Sequence, residues 1–201
     1  MAAQNPSVIV GSKTSPYVRR FRLLLHGQSS VEFKMIDYLN KPEDAAYLKS
    51  ISPINKLPVL LDGDDKVFES RVIAGVLMKK LSLGPLSLDE ENRLSMVDAA
   101  NDVCVNLFML RRGGLDLNGG NWYVERQKER LVDTLTELEA WAKTRDEKNP
   151  AHWNYVTMSL YSFVDWAMFR EMADFSKSPA LVKFVERFSS KPGIQETSPR
   201  L

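Results

Sequence analysis

A serine at a helix start is the first residue whose position suggests chemistry. Ser15 precedes Pro16 in the stretch TSPYVRRFRLLLHG, residues 14 to 27. Serine is a favoured N-cap residue and proline a favoured first helical residue, so this pair predicts the start of a helix that Gly27 ends. The unpaired N–H groups and the dipole of a helix N-terminus also favour negative charge. Ser15 is therefore either a cap alone or a cap whose hydroxyl helps to hold an anion.

Three further groups have residue types suited to a charged small molecule: Lys41, Lys56-Leu57-Pro58 and Glu69-Ser70. The elements around them alternate between strand and helix up to about residue 82. The predicted strands are SVIV, VEFKMID, LPVLLD and KVFES, the last two joined by a tight turn at Gly63, Asp64 and Asp65. The predicted helices follow Ser15, run from Pro42 to Ser50 and cover about residues 70 to 82. If the chain folds in this βαβ-ββα order, Ser15 and these three groups converge on one place. Ligands of open α/β sheets bind at such a place, where loops and helix N-termini meet strand ends.

The second half of the chain has a different pattern. SLGPLSLD at residues 82 to 89 predicts a linker, and beyond it the apolar residues follow helical spacing. We therefore expect a first domain at 1–82, a linker at 83–88 and an all-helical domain at 89–201. RGGLDLNGGN predicts a flexible connection between two long helices, whereas Ser162-Phe163-Val164-Asp165 and Ser178-Pro179 each predict a helix start.

The segments SPYVRRFRLLL, SPINKLPVLLDGDDKVFES and SFVD resemble the cytosolic glutathione transferases, in particular their serine-type, bacterial-like members. The resemblance covers nearly the whole chain, including the late segment KPGIQETSP. It implies an α/β thioredoxin-like N-terminal domain that binds glutathione, followed by an all-α C-terminal domain that forms the pocket for the electrophile.

The same resemblance implies a role for each candidate residue. Ser15 would donate its hydroxyl hydrogen to the glutathione thiolate, and a cis-Pro58 would expose the Leu57 backbone to the cysteinyl part of glutathione. Glu69 and Ser70 would hold the γ-glutamyl end, while Lys41 and Lys56 would contact the glycine carboxylate. Glutathione carries two carboxylates, an ammonium and a thiol, and these residue types suit that distribution of charge. Tyr17, Asn101, Phe108 and Arg112 are candidates for the electrophile pocket by position.

Two departures from the family pattern are Ser52, where many members have asparagine, and Val76, where tyrosine is common. Arg19, Arg20 and Arg22 are predicted to form a solvated helix face, and Cys104, inside an apolar stripe, is predicted to be a core residue. With one cysteine and two histidines, no intrachain disulfide can form, and we expect no metal site.

The composition is that of a globular protein, 44% hydrophobic and 26% charged, and a net charge of +1 gives no reason to expect nucleic acid or an anionic membrane as partner. The start MAAQNPSVIVGSK lacks the features of a secretion signal, and no apolar run is long enough to span a membrane, so a cytoplasmic location is expected. The resemblance further implies a homodimer in which the first domain of each subunit packs on the helical domain of the other.

Three functions remain open at this point. The first is transfer of the glutathione thiolate to a small hydrophobic electrophile, by conjugation or as a step of peroxide reduction. The second is a binding or assembly module with the same fold and little or no catalysis, since fold does not fix function. The third is a glutathione-dependent isomerase, although that branch usually has Ser-Ser-Cys where this chain has Thr14-Ser15-Pro16. Disulfide exchange is disfavoured because an alcohol cannot form the mixed disulfide.

Overall fold

The structure is a computed structural model that describes residues 6–200. Contacts divide the chain into two compact units. Unit 1 comprises the residues up to Pro85 together with those from Pro192 onward, and unit 2 is Leu86–Lys191. Residues 1–5 belong to the segment MAAQNPSVIVGSK, for which no secretion signal is expected, and they lie outside the described residues. None of the helices in residues 6–200 is long and apolar enough to cross a membrane.

Unit 1 is built around a four-stranded mixed sheet. Its elements are β1 (Ser7–Gly11), α1 (Pro16–Leu24), β2 (Val31–Met35), α2 (Pro42–Ile51), β3 (Val59–Asp62), β4 (Asp65–Phe68) and α3 (Ser70–Lys80). The strand order is β2-β1-β3-β4; β1 runs parallel to β2 and antiparallel to β3, which runs antiparallel to β4. This is the βαβ-ββα order that the sequence predicts.

The register of the sheet places four strand ends along one edge. Gly11 at the end of β1 lies opposite Met35 at the end of β2. Val59 at the start of β3 lies opposite both Val10 of β1 and Phe68 at the end of β4. The loops that follow β1, β2 and β4 and the loop that precedes β3 therefore leave the sheet at the same edge.

The contact between β1 and α1 depends on the absence of a side chain at Gly11. A Cβ atom built there would lie 2.5 Å from Cγ1 of Val18. Val18 is fully buried, so it has no free space into which it could turn. Gly11 thus lets α1, with Ser15 at its start, pack directly against the end of the central strand.

We expect Gly11→Ala to destabilise the protein by about 1–3 kcal/mol, because an added methyl group in a closely packed core forces neighbouring atoms apart. Gly75→Ala is the matched control. Gly75 lies on α3, a Cβ there meets nothing within 4 Å, and alanine favours helix more than glycine does. Thermal unfolding of both variants tests the expectation, and an equally stable Gly11→Ala protein would contradict it.

Two of the three arginines predicted to be solvated are buried, which corrects that prediction. Arg19 is 2% exposed and Arg20 is fully buried. Arg19 donates to the carbonyl of Ile194 (3.2 Å) and to the hydroxyl of Thr197 (3.2 Å), and Arg22 donates to the carbonyl of Glu196 (2.8 Å). These bonds hold the late segment against α1. The domain boundaries predicted from the sequence place residues 192–201 in the helical domain. In the structure, the residues from Pro192 onward make their contacts mainly within unit 1.

Every regular element of unit 2 is helical. The elements are α4 (Leu88–Arg112), α5 (Trp122–Lys143), a 3₁₀ turn (Pro150–His152), α6 (Tyr155–Phe169) and α7 (Pro179–Phe188). The glycine-rich stretch at 112–121 separates α4 from α5 as predicted. Together with the sheet of unit 1, this arrangement confirms the predicted fold class, a thioredoxin-like α/β part followed by an all-α part.

The helix start predicted at Ser162 is wrong. Ser162 lies inside α6, where its hydroxyl donates to the carbonyl of Met158 at 2.8 Å. The cap of α6 is Asn154, whose side chain accepts from the N–H groups of Val156 and Thr157. The Thr157 hydroxyl oxygen in turn accepts from the Asn154 N–H. Because an asparagine and a threonine make this capping box, the Ser-x-x-Asp pattern farther along marks no boundary.

The start predicted at Ser178-Pro179 is confirmed, but its cap comes from another helix. The Ser178 side chain makes no capping bond. Instead the two carboxylate oxygens of Glu139, on α5, accept from the backbone N–H groups of Ala180 (3.1 Å) and Leu181 (3.0 Å). Glu139 is buried, so this carboxylate ties α7 to α5 in the interior of unit 2.

Candidate active site

Ser15 occupies the N-cap of α1. Its backbone is extended, and its Oγ accepts from the N–H of Val18 at 3.3 Å. A hydroxyl oxygen that accepts one hydrogen bond still carries its own hydrogen, which is available to donate elsewhere. Ser15 is only half-buried. The capping bond and a bond to an incoming anion are therefore compatible.

The loop before β3 presents a short stretch of backbone at the same edge. The Leu57-Pro58 peptide bond is cis, and Pro58 is buried directly before the first residue of β3. Leu57 is half-buried and Lys56 is exposed. The pairing of Val59 with Val10 therefore places the Leu57 backbone at the edge of the sheet where β1 ends.

Glu69 has an unusual backbone conformation at the start of α3. Its φ is +66° and its ψ is 130°, in a region that non-glycine residues seldom occupy. Such a conformation costs on the order of 1–3 kcal/mol and is concentrated at ligand sites. Glu69 is exposed, while Ser70, the first residue of α3, is buried. The edge therefore carries the Glu69 carboxylate next to the N-terminus of α3.

The two candidate lysines flank this edge. Lys41 is the N-cap residue of α2, in the loop after β2, and Lys56 lies in the loop before β3. Both are exposed, and neither makes an ion pair with any residue in the described range 6–200. Glu69 likewise has no ion-pair partner in that range. No ion pair within residues 6–200 therefore neutralises these three charges.

The candidates for the electrophile pocket are divided between the units. Tyr17 lies on α1 in unit 1, with the Arg20 guanidinium 5.2 Å from its ring centroid. Asn101, Phe108 and Arg112 lie on α4 in unit 2, on one side of that helix by their one-turn and two-turn spacings. Asn101 is fully buried, and no described residue makes a hydrogen bond with its side-chain amide. Arg112 is exposed at the last position of the helix.

Phe108 contacts Arg170, a residue that the sequence does not single out. Its ring packs edge-on against Trp166 of α6, with centroids 5.7 Å apart, and the guanidinium of Arg170 lies 5.1 Å from its centroid. Arg170 is the C-cap residue of α6. The available signal was a lone cation at the end of a strongly apolar helix, but nothing local connects it to Phe108, 62 positions earlier in the chain.

Cys104 belongs to the core, and its thiol is unsuited to catalysis. The side chain is fully buried, its Sγ lies 3.7 Å from the carbonyl oxygen of Met172, and burial raises the pKa of the thiol to about 12. A thiol with that pKa is almost entirely protonated at neutral pH, and the thiolate is the reactive form.

We therefore expect the native protein to react with a thiol-specific disulfide reagent at least about 100-fold more slowly than the unfolded chain, whose thiol has a pKa of about 8.5. Release of the coloured thiolate, with and without denaturant, measures both rates. Because Cys104 is the only cysteine, no other thiol obscures the result. Equal rates in the two conditions would contradict the buried position.

Within the described part of the chain, no group of three or more His, Cys, Asp and Glu side chains is placed to hold a metal ion. The sheet edge of unit 1 brings together the Ser15 hydroxyl, the N-termini of α1 and α3, the Glu69 carboxylate and the two lysines. This set suits a ligand that carries both signs of charge and a nucleophile that becomes anionic.

Known proteins resemble this chain in sequence. The domain family described as "Glutathione S-transferase, N-terminal domain" matches residues 9–75. Glutathione S-transferase U18 of Arabidopsis thaliana is 27% identical, in a match that covers 96% of this chain and 90% of the plant protein.

Solved structures show the same fold. A glutathione S-transferase of Methylobacterium radiotolerans, in complex with glutathione sulfonate, matches with a TM-score of 0.78 at 22% identity, over 97% of this chain and 95% of the other. A glutathione transferase family member of Pseudomonas fluorescens, with bound glutathione, matches with a TM-score of 0.78 at 21% identity, over 97% and 100%. Residues 9–75 therefore match the N-terminal domain family of the glutathione S-transferases, and the chain as a whole has the fold of the solved glutathione transferases.

Proposed function

We propose that this protein is a glutathione transferase that binds glutathione in unit 1, stabilises its thiolate through Ser15 and transfers it to a small hydrophobic electrophile. The observation that carries the proposal is the register of the sheet. It brings Ser15, the cis Leu57-Pro58 bond and Glu69-Ser70 to one edge, through the pairing of Val59 with both Val10 and Phe68. Relatives of this family, including one crystallised with bound glutathione, support the choice of ligand.

Each group at the edge has a counterpart in glutathione. The peptide N–H and C=O of Leu57 are proposed to pair with the backbone of the cysteinyl residue, as a strand pairs with its neighbour. Glu69 accepts from the γ-glutamyl ammonium, and the Ser70 N–H and hydroxyl donate to the adjacent carboxylate at the start of α3. Lys41 and Lys56 approach the glycine carboxylate. The thiol then points toward the start of α1.

Activation of the thiol needs no base on the protein. A free thiol with a pKa of about 8.5 is mostly protonated at neutral pH. A hydrogen bond from Ser15 Oγ and the positive end of the α1 dipole both favour the thiolate, and each unit by which they lower the pKa corresponds to about 1.4 kcal/mol. The proton leaves to solvent, and the thiolate attacks the electrophile. Conjugation and the first step of peroxide reduction share this chemistry.

Calorimetric titration of glutathione into the protein, joined to an ultraviolet titration of the bound thiol, tests the proposal. We expect binding with a thiol pKa at least one unit below that of free glutathione. Glu69→Gln should weaken binding about tenfold, because a charge-assisted bond to the ammonium is lost. Glu32→Gln, on the exposed face of β2, is the matched control and should bind as the wild type does.

Two other outcomes would contradict part or all of the proposed function. A wild-type protein that does not bind glutathione would favour the binding or assembly module. Binding with an unshifted thiol pKa would contradict activation by Ser15 while leaving the site in place.

The proposed working form is a cytoplasmic homodimer. The support is the family resemblance, in which the first domain of each subunit packs on the helical domain of the other. Gel filtration or light scattering measures the mass directly. A value near that of the 22.9 kDa monomer would contradict the dimer.

A further inference from the structure

Three arginines come together where α4 and α6 end in unit 2. Arg111 and Arg112 are the last two residues of α4, and Arg170 is the C-cap residue of α6. The guanidinium of Arg111 donates to the backbone carbonyl of Arg170 at 2.8 Å, which fixes the two helix ends side by side. We call these three residues the arginine cluster.

The cluster lies against aromatic rings. The Arg170 guanidinium is 5.1 Å from the centroid of Phe108 and 4.6 Å from that of Phe169. Phe108 in turn contacts Trp166 edge-on. Both Phe108 distances fall within the range of cation–π and aromatic pairs, so one side of Arg170 rests on an aromatic surface.

The positive charge of Arg170 is not neutralised by the protein in the described range 6–200. Its contacts there are with aromatic rings and with Arg111, and none is with a carboxylate. Its Nε is buried and makes no hydrogen bond with a described residue. Glu171, the next residue, is exposed and forms no ion pair with the cluster.

The electrostatics of the cluster agree with an excess of positive charge. The pKa of Arg170 is lowered from its ordinary value, first by burial and then by the positive charges of Arg111 and Arg112. The C-terminus of α6 contributes roughly half a negative charge beside Arg170, which offsets only part of the formal positive charge of that side chain. A half-buried guanidinium with a free N–H and like-charged neighbours gains stability when an anion binds beside it.

We propose that the arginine cluster and the ring of Phe108 bind an aromatic ligand with an anionic group, of the aryl carboxylate class. The carboxylate would accept from the Arg170 and Arg111 guanidinium groups, and the aromatic ring would pack against Phe108. As a second substrate, such a compound would be an anionic aryl electrophile, and that catalytic part rests on the proposed function above. Phe108 and Arg112 are already candidates for the electrophile pocket, so the cluster adds a charge preference to a region first expected to be hydrophobic.

A pair of probes that differ only in charge tests binding without any reaction. We titrate 4-nitrobenzoate and the neutral 4-nitrobenzamide into the glutathione-free protein. The carboxylate should bind about tenfold more tightly than the amide, and its affinity should fall with added salt. Equal affinities for the two probes would overturn the proposal. If inorganic sulfate displaces 4-nitrobenzoate and 4-nitrobenzamide does not bind, the site is one for simple anions. That result would overturn the aromatic part of the proposal.

Substitutions locate the effect. Arg170→Met should remove the preference for the carboxylate and leave the affinity for the amide within about twofold, because the aromatic surface stays. Arg111→Gln, at an exposed residue, is the second variant if Arg170→Met does not fold. Arg126→Met is the matched control, since Arg126 also lies near an aromatic ring, Trp122 at 5.8 Å, but on α5 outside the cluster. An unchanged preference in both Arg170→Met and Arg111→Gln would contradict the assignment.

A conjugation assay tests the anion site and the proposed transferase activity separately. With glutathione present, 4-chloro-3,5-dinitrobenzoate and its amide are compared as electrophiles; the thiolate forms the C–S bond and chloride leaves. The KM of the carboxylate should be about tenfold lower than that of the amide in the wild type and similar to it in Arg170→Met. A protein that binds the unreactive probes selectively but conjugates neither electrophile would contradict the proposed transferase and leave the anion site standing.

Discussion

Replacing Ser15 by alanine is expected to raise the pKa of the bound glutathione thiol by at least one unit and to lower the rate of conjugation at neutral pH about tenfold or more. The hydroxyl that donates to the sulfur is lost, and one pKa unit corresponds to about 1.4 kcal/mol of preference for the thiolate. Glutathione affinity should change little, because the contacts with its two ends do not involve Ser15. The thiolate absorbance of bound glutathione against pH gives the pKa directly.

The same substitution also removes a helix cap, so the two effects must be separated. Loss of the Ser15 cap is expected to cost about 1 kcal/mol of stability. Ser87→Ala is the matched control, because Ser87 caps α4 through a bond from Glu90 N–H at 3.3 Å, the same length as the Ser15 bond. It should lose similar stability and leave the thiol pKa unchanged. Ser15→Thr keeps the hydroxyl and should retain the low pKa. An unshifted pKa in Ser15→Ala would sink the proposed mechanism.

Glu139→Gln is expected to give the largest loss of stability among single polar substitutions in unit 2, about 2–3 kcal/mol. In the native protein both carboxylate oxygens accept from buried or half-buried N–H groups, those of Ala180 and Leu181. The glutamine amide keeps one acceptor and turns an NH₂ donor toward the other N–H, which leaves a buried donor unpaired. For a chain of this size the melting temperature should fall by about 5 °C or more.

The control for Glu139 lies on the same helix. Glu137→Gln changes an exposed residue of α5 in the same way and should move the melting temperature by less than about 1 °C. Helix content, followed by circular dichroism, should be lost at lower temperature in Glu139→Gln because α7 is no longer capped. Equal melting temperatures for the two variants would show that the carboxylate does not hold α7.

Patterns that are local in the chain predict most of the fold. Alternating apolar residues predict the strands of unit 1, and the Ser-Pro pairs at residues 15 and 178 mark helix starts that the structure confirms. The meeting of the candidate site residues at one sheet edge follows once the strand order is known. The roles of those residues in binding glutathione remain predictions, because they come from the resemblance.

Two of the features that the sequence misses depend on partners far away in the chain, and one depends on a competing local cap. Arg19 looks like part of a solvated charge run, yet it is buried because its donors meet Ile194 and Thr197. Asp165 looks like the acid of a capping box, yet α6 begins at Tyr155 because Asn154 supplies the cap. Arg170 looks isolated, and only the packing of α6 on α4 brings it to Phe108. For Arg19 and Arg170 the missing information is tertiary, so a local pattern cannot supply it. The Asn154 cap is itself a local pattern, and the later Ser-x-x-Asp pattern is mistaken for it.

The bonds from Arg19 and Arg22 to the late segment have a consequence for how the protein is made. Arg19 and Ile194 are 175 residues apart, so unit 1 is discontinuous in sequence. On a ribosome, the sheet and α1 emerge first, but the Ile194 carbonyl and the Thr197 hydroxyl, to which Arg19 donates, emerge only after all of unit 2. Two cationic side chains therefore stay hydrated and exposed through most of synthesis, and the first unit reaches its final contacts only at the end of translation.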